Sequence, residues 1–215
     1  MAKIVDFPAN RQGGPDPVLL KVTGNAGRGR RTNAEIGRIR DHLTPDEVKA
    51  LIKAAGELGR HRTRDRTLIL VAYRHGLRVS EVANLRWDQI DFKAARLHVN
   101  RLKGGTPATH PIEGDELRAL RKLKRAYPDS SFVFTTERGG PLTRSTVNKL
   151  IARAGHRAKI SFPVTPHQLR HACGYYLANR GVPTRTIQAY LGHGNISNTQ
   201  RYTALSDAAF KNLWS

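Results

Sequence analysis

Apolar residues recur at helical spacing along most of this chain. Thr44-Pro45-Asp46-Glu47 reads as a helix start: a capping hydroxyl, proline at the first helical position, and a glutamate placed to close a capping box. Val48, Leu51, Ile52 and Ala55 follow as one apolar stripe. A second helix is predicted from about Thr63 to His75, around Leu68, Ile69, Val71 and Ala72, with Gly76 as its stop. Ser80 and Glu81 open a short third helix through Leu85. The period then changes to two. Leu97, Val99 and Leu102 alternate with polar neighbours, Lys103-Gly104-Gly105-Thr106 supplies a turn, and Thr109 to Ile112 returns, which predicts a β-hairpin. Helical patterns resume over Gly114 to Ala126, Thr143 to Ala154, Thr165 to Asn179, Thr184 to Leu191 and about Thr199 to Ala204. Phe132-Val133-Phe134 is a brief apolar connector. The predicted class is mainly α with a small antiparallel β-hairpin or sheet (α+β), and there is no internal repeat.

The first 43 residues carry no sustained periodicity. They hold Gly13-Gly14-Pro15, Pro17, Gly24, Gly27 and the cluster Arg28, Arg30, Arg31. We read residues 1–43 as a basic, disordered arm and residues 44–215 as one folded domain with a C-terminal tail. The formal charge of the 215 residues is +20. Residues 1–43 contribute eight Lys/Arg against four Asp/Glu, and residues 44–215 contribute 29 against 13. The folded part therefore carries most of the field, which favours a binding groove for a polyanion, above all nucleic acid, over a simple basic tail. The plain alternative is a solvated basic surface. A single cysteine excludes an intrachain disulfide and a cysteine-rich zinc site. No stretch approaches the roughly 18 apolar residues of a spanning helix, and the N-terminus lacks the apolar run of a secretory signal. The expectation is a cytoplasmic, nucleoid-associated protein with no membrane partner.

The predicted helix 165–179 has two unlike faces. At about 100° per residue, Leu169, Ala172, Cys173, Tyr176 and Leu177 form an apolar stripe expected to pack inward. His167, Arg170, His171 and Gly174 form a second stripe, expected to face outward. His167 sits in the first turn, where amide donors point at an anion. Taken singly, each of these is an ordinary surface residue. Together they need a chemical reason.

Thr165-Pro166-His167-Gln168-Leu169-Arg170-His171 resembles the second conserved box of the tyrosine recombinases, the phage-integrase family. Leu191-Gly192-His193, followed nine residues after His193 by Tyr202, resembles that family's Leu-Gly-His segment and nucleophilic tyrosine. Tyr73-Arg74-His75-Gly76-Leu77-Arg78-Val79-Ser80-Glu81-Val82 resembles the box with the first catalytic arginine, and Leu102-Lys103-Gly104-Gly105 the hairpin with its lysine. The boxes stand in the family's order over roughly residues 44 to 213.

The resemblance implies the tyrosine-recombinase catalytic-domain fold and DNA strand cleavage through a 3′-phosphotyrosyl link. It makes Tyr202 the nucleophile. Arg78 and Arg170 would clamp the nonbridging phosphate oxygens, where charge develops in the transition state. His167 would accept the tyrosine proton, Lys103 would protonate the leaving 5′-oxygen, and His193 would donate to a phosphate oxygen. Arg101, His171, Arg201 and Arg185 are the expected DNA-binding residues, with His171 also a buttress for its neighbours. No metal and no cofactor is implied, because the bond energy stays in the phosphotyrosyl ester. Tyr190 is the rival nucleophile, but it shares a packing face with Ile187 and Leu191.

Most of the family carries a separate core-binding domain ahead of the catalytic one, and 43 residues are too few for it. In build, and in His98 to Gly104, Thr109 to Ile112 and Leu169 to Gly174, the chain resembles the fimbrial-type phase-variation DNA invertases. The resemblance implies double-stranded DNA with specific recombination sites as the partner, a tetramer on that DNA, and an accessory DNA-binding protein. Ala208, Ala209, Phe210, Leu213 and Trp214 would pack on a neighbouring protomer, or fold back on their own domain. The competing readings are a non-catalytic helix-turn-helix-like DNA-binding regulator, using helices 165–179 and 184–191, and a relaxing enzyme of the topoisomerase kind.

Overall fold

The computed structural model describes residues 41–101 and 107–203. The expected arm through residue 40, the hairpin tip with Lys103, and the apolar tail from Ala208 to Trp214 lie outside the described residues.

Local signals account for most of the elements. Helix α1 (Pro45–Glu57) starts where the capping box closes: the Thr44 hydroxyl accepts from the Glu47 amide, and the Glu47 carboxylate accepts from the Thr44 amide at 2.9 Å. The chain enters the core slightly upstream of that cap. Leu43 is buried and the His42 ring stacks on Tyr175 at 3.8 Å. Helix α2 (Arg62–Arg74) stops before Gly76, which takes a left-handed φ of +54°. Helix α3 is Val79–Ala83.

The sheet has three antiparallel strands where the sequence predicts a hairpin: β1 (Ile90–Asp91), β2 (Arg96–Val99) and β3 (Ala108–Pro111), in the order β1-β2-β3. Two residues of β1 are too few to show a period, so the extra strand has no sequence signature. Leu97 and Val99 point into the core, and Arg96 and His98 into solvent. Leu97 pairs with His110 and Val99 with Ala108.

Helices α4 (Gly114–Ala126), α5 (Arg144–Arg157), α6 (Pro166–Asn179), α7 (Thr184–Leu191) and α8 (Ser197–Thr203) complete the fold. α5 runs one turn beyond its predicted end. A main apolar cluster joins α1 to α5 around Leu51, Leu68, Phe134 and Ile151. A smaller one gathers Cys173, Tyr175, Ala178, Ile187, Leu191 and Tyr202 beneath α6, α7 and α8.

Helix α6 corrects the two-face expectation. Arg170, His171 and Gly174, expected outside, are buried, because α7 and α8 wrap the second face. Tyr176, expected inside, is 41% exposed. The helix outruns the core there, and the ring lies edge-on to Tyr73 with the Arg180 guanidinium above it. Among the described residues no helix is long and apolar enough to cross a membrane.

Candidate active site

Three guanidiniums and one carboxylate meet where α2, α3, α6 and α7 end or cross. Arg78, at the N-terminus of α3, donates from Nη1 to Glu81 at 2.8 Å and from Nη2 to the Gly192 carbonyl at 3.1 Å. Its side chain keeps 31% exposure, so it opens to solvent. Arg170, on α6, donates to the Gly76 carbonyl and, at 2.6 Å, to the Leu191 carbonyl. Its fork is thereby held by the ends of α2 and α7. Among the described residues two of its five N–H groups donate to these carbonyls. Arg101, just after β2, donates to the other Glu81 oxygen at 2.8 Å.

The electrostatics of this cluster are dominated by positive charge. Burial pushes Arg170 down to about 10, and the neighbouring Arg78 and Arg101 charges add to the shift. Arg170 remains a cation at neutral pH, held at a cost among like charges. Burial alone would raise Glu81, but the Arg78 amide and both guanidiniums outweigh it and hold the carboxyl below its usual range. One carboxylate against three guanidiniums leaves a positive excess, which an anion would relieve.

Tyr202 lies beside this cluster, 1% exposed. Its hydroxyl meets His171 Nδ1 at 2.9 Å, and His171 Nε2 meets His167 Nε2 at 2.7 Å. With the phenol donating to Nδ1, the second contact is His171 Nε2–H donating to His167, so one tautomer set runs a proton path from Tyr202 to the exposed ring of His167. The Tyr202 ring lies edge-on to Tyr175 at 5.1 Å and against Gly174. A Cβ at Gly174 would fall 2.6–2.8 Å from three ring carbons, so only glycine admits the tyrosine there. Burial raises the phenol to about 12, with Arg170 and Arg201 opposing the rise. His193 is held by the buried Thr199, Nδ1 to Oγ1 2.9 Å, and its ring is inclined 28° to that of Tyr202 with centroids 6.2 Å apart.

The structure thus brings Arg78, Arg170, His167, His193 and Tyr202 into one cluster, while Lys103 lies outside the described residues. Two expected DNA-binding residues are corrected. Arg101 has a side chain with no exposure, sealed between Glu81 and the α7 end, so no phosphate reaches it. His171 is buried and occupied on both ring nitrogens, standing between Tyr202 and His167 where His167 was expected to meet the phenol itself. Arg201 and Arg185 are exposed. Arg185 lines, with His193, Gln188 and Thr109, an open groove of about 440 Å³ between β3 and α7. Tyr190, the rival nucleophile, is committed elsewhere: its ring stacks on His110 at 3.8 Å and its hydroxyl donates to the Arg74 carbonyl at 3.0 Å.

Sequence reasoning missed Glu81 as the counter-charge of the site, although it stands in the box with Arg78. It also missed Thr199, and Asp41 and His42, whose charge and ring reach the His171–Tyr175 side of the pocket. Among the described residues no group of three His, Cys, Asp or Glu is placed to hold a metal ion.

The buried histidines make a prediction about stability. Burial, with nearby cations or histidines, lowers His110 to about 3 and both His171 and His193 to about 4. The unfolded chain takes up these protons near pH 6.5, but the folded chain only near pH 3–4. Their contribution is therefore full above pH 6.5 and is lost as pH falls toward 4. Urea unfolding should show a loss on the order of 5 kcal/mol between pH 7 and pH 4.5 from His110 and His171 together. A flat profile over that range would contradict their burial as neutral rings.

Comparison with known proteins agrees with this geometry. The phage integrase family profile matches residues 41–209. The chain is 41% identical over 180 residues to the type 1 fimbriae regulatory protein FimB of Escherichia coli K12, covering 81% of this chain and 90% of that protein. It is 38% identical to the tyrosine recombinase XerA of Pyrococcus furiosus, over 76% of this chain and 57% of that one. The crystal structure of XerA recombinase superposes with a TM-score of 0.71 at 30% identity, over 80% of this chain and 63% of that one. A lambda integrase dimer bound to a core site shares the fold, with a TM-score of 0.62 at 24% identity, over 75% of this chain and 47% of that one. From Asp41 to Ala209, the chain belongs to the phage integrase family.

Proposed function

We propose that this protein is a site-specific DNA recombinase that inverts a DNA segment by cutting and rejoining strands through a 3′-phosphotyrosyl intermediate at Tyr202. The observation that carries the reading is the Tyr202 hydroxyl on a two-histidine path beside the cation-rich pocket of Arg78 and Arg170. The phenol oxygen attacks the scissile phosphorus. The Tyr202 O–P bond forms and the P–O5′ bond breaks. The phenolic proton passes to His171, with His167 as its outlet, and the departing 5′-oxygen takes a proton from Lys103. Arg78, Arg170 and His193 hold the nonbridging oxygens as charge builds on them. Attack by a 5′-hydroxyl of the partner strand reverses these steps and releases the tyrosine. The ester conserves the bond energy, so no nucleotide is consumed.

Double-stranded DNA carrying paired recombination sites is the substrate, and four copies on two sites form the working assembly, with an accessory DNA-binding protein to stabilise it in the nucleoid. The positive excess of the chain supports the DNA partner, and the similarity to the tyrosine recombinase XerA supports the reaction class. Nicked suicide duplexes bearing candidate inverted repeats, mapped in the DNA that flanks the coding region, test the reading. A protein–DNA adduct stable to denaturant is expected, and inverted products from a plasmid with two opposed sites. Binding without adduct would identify a regulator, and relaxed circles without inversion a relaxing enzyme.

DNA binding should also weaken steeply with salt, because each neutralised phosphate releases counterions. With about six phosphates neutralised, affinity should fall about 10³-fold between 50 and 200 mM salt. Titration by fluorescence anisotropy measures this, and a flat response would remove the basic groove from the account.

A further inference from the structure

Arg101 is the one guanidinium of the cluster that the proposed reaction leaves without a task. Its side chain has no exposure. It makes contacts to three separate elements: Nη1 to Glu81 of α3 at 2.8 Å, and Nη2 to the carbonyl of His75, at the end of α2, at 3.4 Å and to that of Tyr190 on α7. It also lies flat beneath the turn that ends α7. A Cβ at Gly192 would stand 2.8 Å from Arg101 Cγ, Cδ and Nε, and Gly192 takes a φ of +65°. Both residues that Arg101 braces belong to the site. Glu81 holds Arg78 through its second oxygen, and Gly192 accepts from Arg78 and leads into His193.

We propose that Arg101 is a positioning residue for the phosphate clamp: its buried fork ties Glu81 to the α7 end, and so sets Arg78 and His193 at one spacing around the scissile phosphate. This rests on the strand-cleavage reading above. The fork shape matters, because it spans a carboxylate on one side and main-chain carbonyls on the other. A lysine ammonium keeps the charge but is a single point on a flexible stem. Burying a guanidinium is costly without such partners, and its Nε finds none among the described residues. Packing alone would be met more cheaply by an apolar side chain.

The test compares Arg101→Lys, Arg101→Met and Arg78→Ala with the unaltered protein. The substrate is a nicked duplex of the flanking repeat, with either a normal scissile phosphate or a neutral methylphosphonate there. The clamp neutralises phosphate charge, so a defect that arises in the clamp shrinks when that charge is absent. On phosphate, Arg101→Lys and Arg101→Met should both cut about 100-fold more slowly. On methylphosphonate the deficit should shrink to within about tenfold, as it should for Arg78→Ala. Neither Arg101 variant should change the salt slope of binding, since Arg101 touches no phosphate. A wild-type rate for Arg101→Lys would overturn the proposal, leaving only a buried charge. An equal deficit on both substrates would overturn it too, as would a salt slope reduced by about one. If Arg101→Met loses its cooperative melt, Arg101→Lys decides. Failure of Arg78→Ala to recover on methylphosphonate would instead strike the clamp reading itself.

Discussion

Tyr202→Phe should bind the recombination site with unchanged affinity and salt response, and form no covalent adduct on a suicide duplex. The substitution removes one oxygen and leaves the ring against Gly174 and Tyr175. The lost contact is the 2.9 Å hydrogen bond to His171, so the stability change should stay within about 1–2 kcal/mol. Among the described residues no other hydroxyl is hydrogen-bonded to His171 or His167. Tyr190→Phe supplies the contrast. That hydroxyl is bonded to the Arg74 carbonyl, and its burial raises it far above the usual phenol range. Its removal should leave adduct formation in place. Adduct from Tyr202→Phe, read by denaturing electrophoresis, would end the assignment of the nucleophile.

Arg170→Lys carries the second largest expectation, a fall in single-turnover strand cleavage of about 10²–10³-fold, or roughly 3–4 kcal/mol of transition-state stabilisation. A lysine keeps the positive charge. It cannot meet the Gly76 and Leu191 carbonyls together while offering further donors outward. Arg170→Ala should add a folding defect, since it leaves two buried carbonyls without a donor at about 1–3 kcal/mol each. Thermal melts separate the two effects: Arg170→Lys should melt near the unaltered protein and still cut slowly. A lysine variant that cuts at full rate would show that charge alone suffices and that the fork has no part in the clamp.

The elements of this fold were largely legible because their signals are short-ranged. The capping boxes at Thr44 and Thr165 both form, and helices 114–126 and 184–191 have the predicted ends. A cap, a proline at the first turn and a glycine stop each depend on residues within four positions of one another. The misses are of another kind. β1 is two residues long and exists only because β2 lies beside it. Tyr176 has the same helical phase as buried Leu169 but lies where the core ends. Arg101 looks, in sequence, like any exposed cation beside a catalytic box, and nothing near His171 in the chain marks its ring as buried.

What the sequence by itself determined is the set of chemical groups: a tyrosine, two arginines and two histidines in recognisable boxes, on helices whose boundaries local capping and backbone preferences dictate. Which of those groups meet an incoming phosphate and which only brace the others was decided by tertiary structure. The deciding contacts run from Arg78 to Gly192, 114 residues away, from Arg170 to Gly76, 94 away, and from Arg101 to Tyr190, 89 away. The same positive charge is a ligand for DNA when it faces solvent and a strut when it is sealed against carbonyls. Burial is set by the elements that close over a residue, and no neighbour in the chain records it.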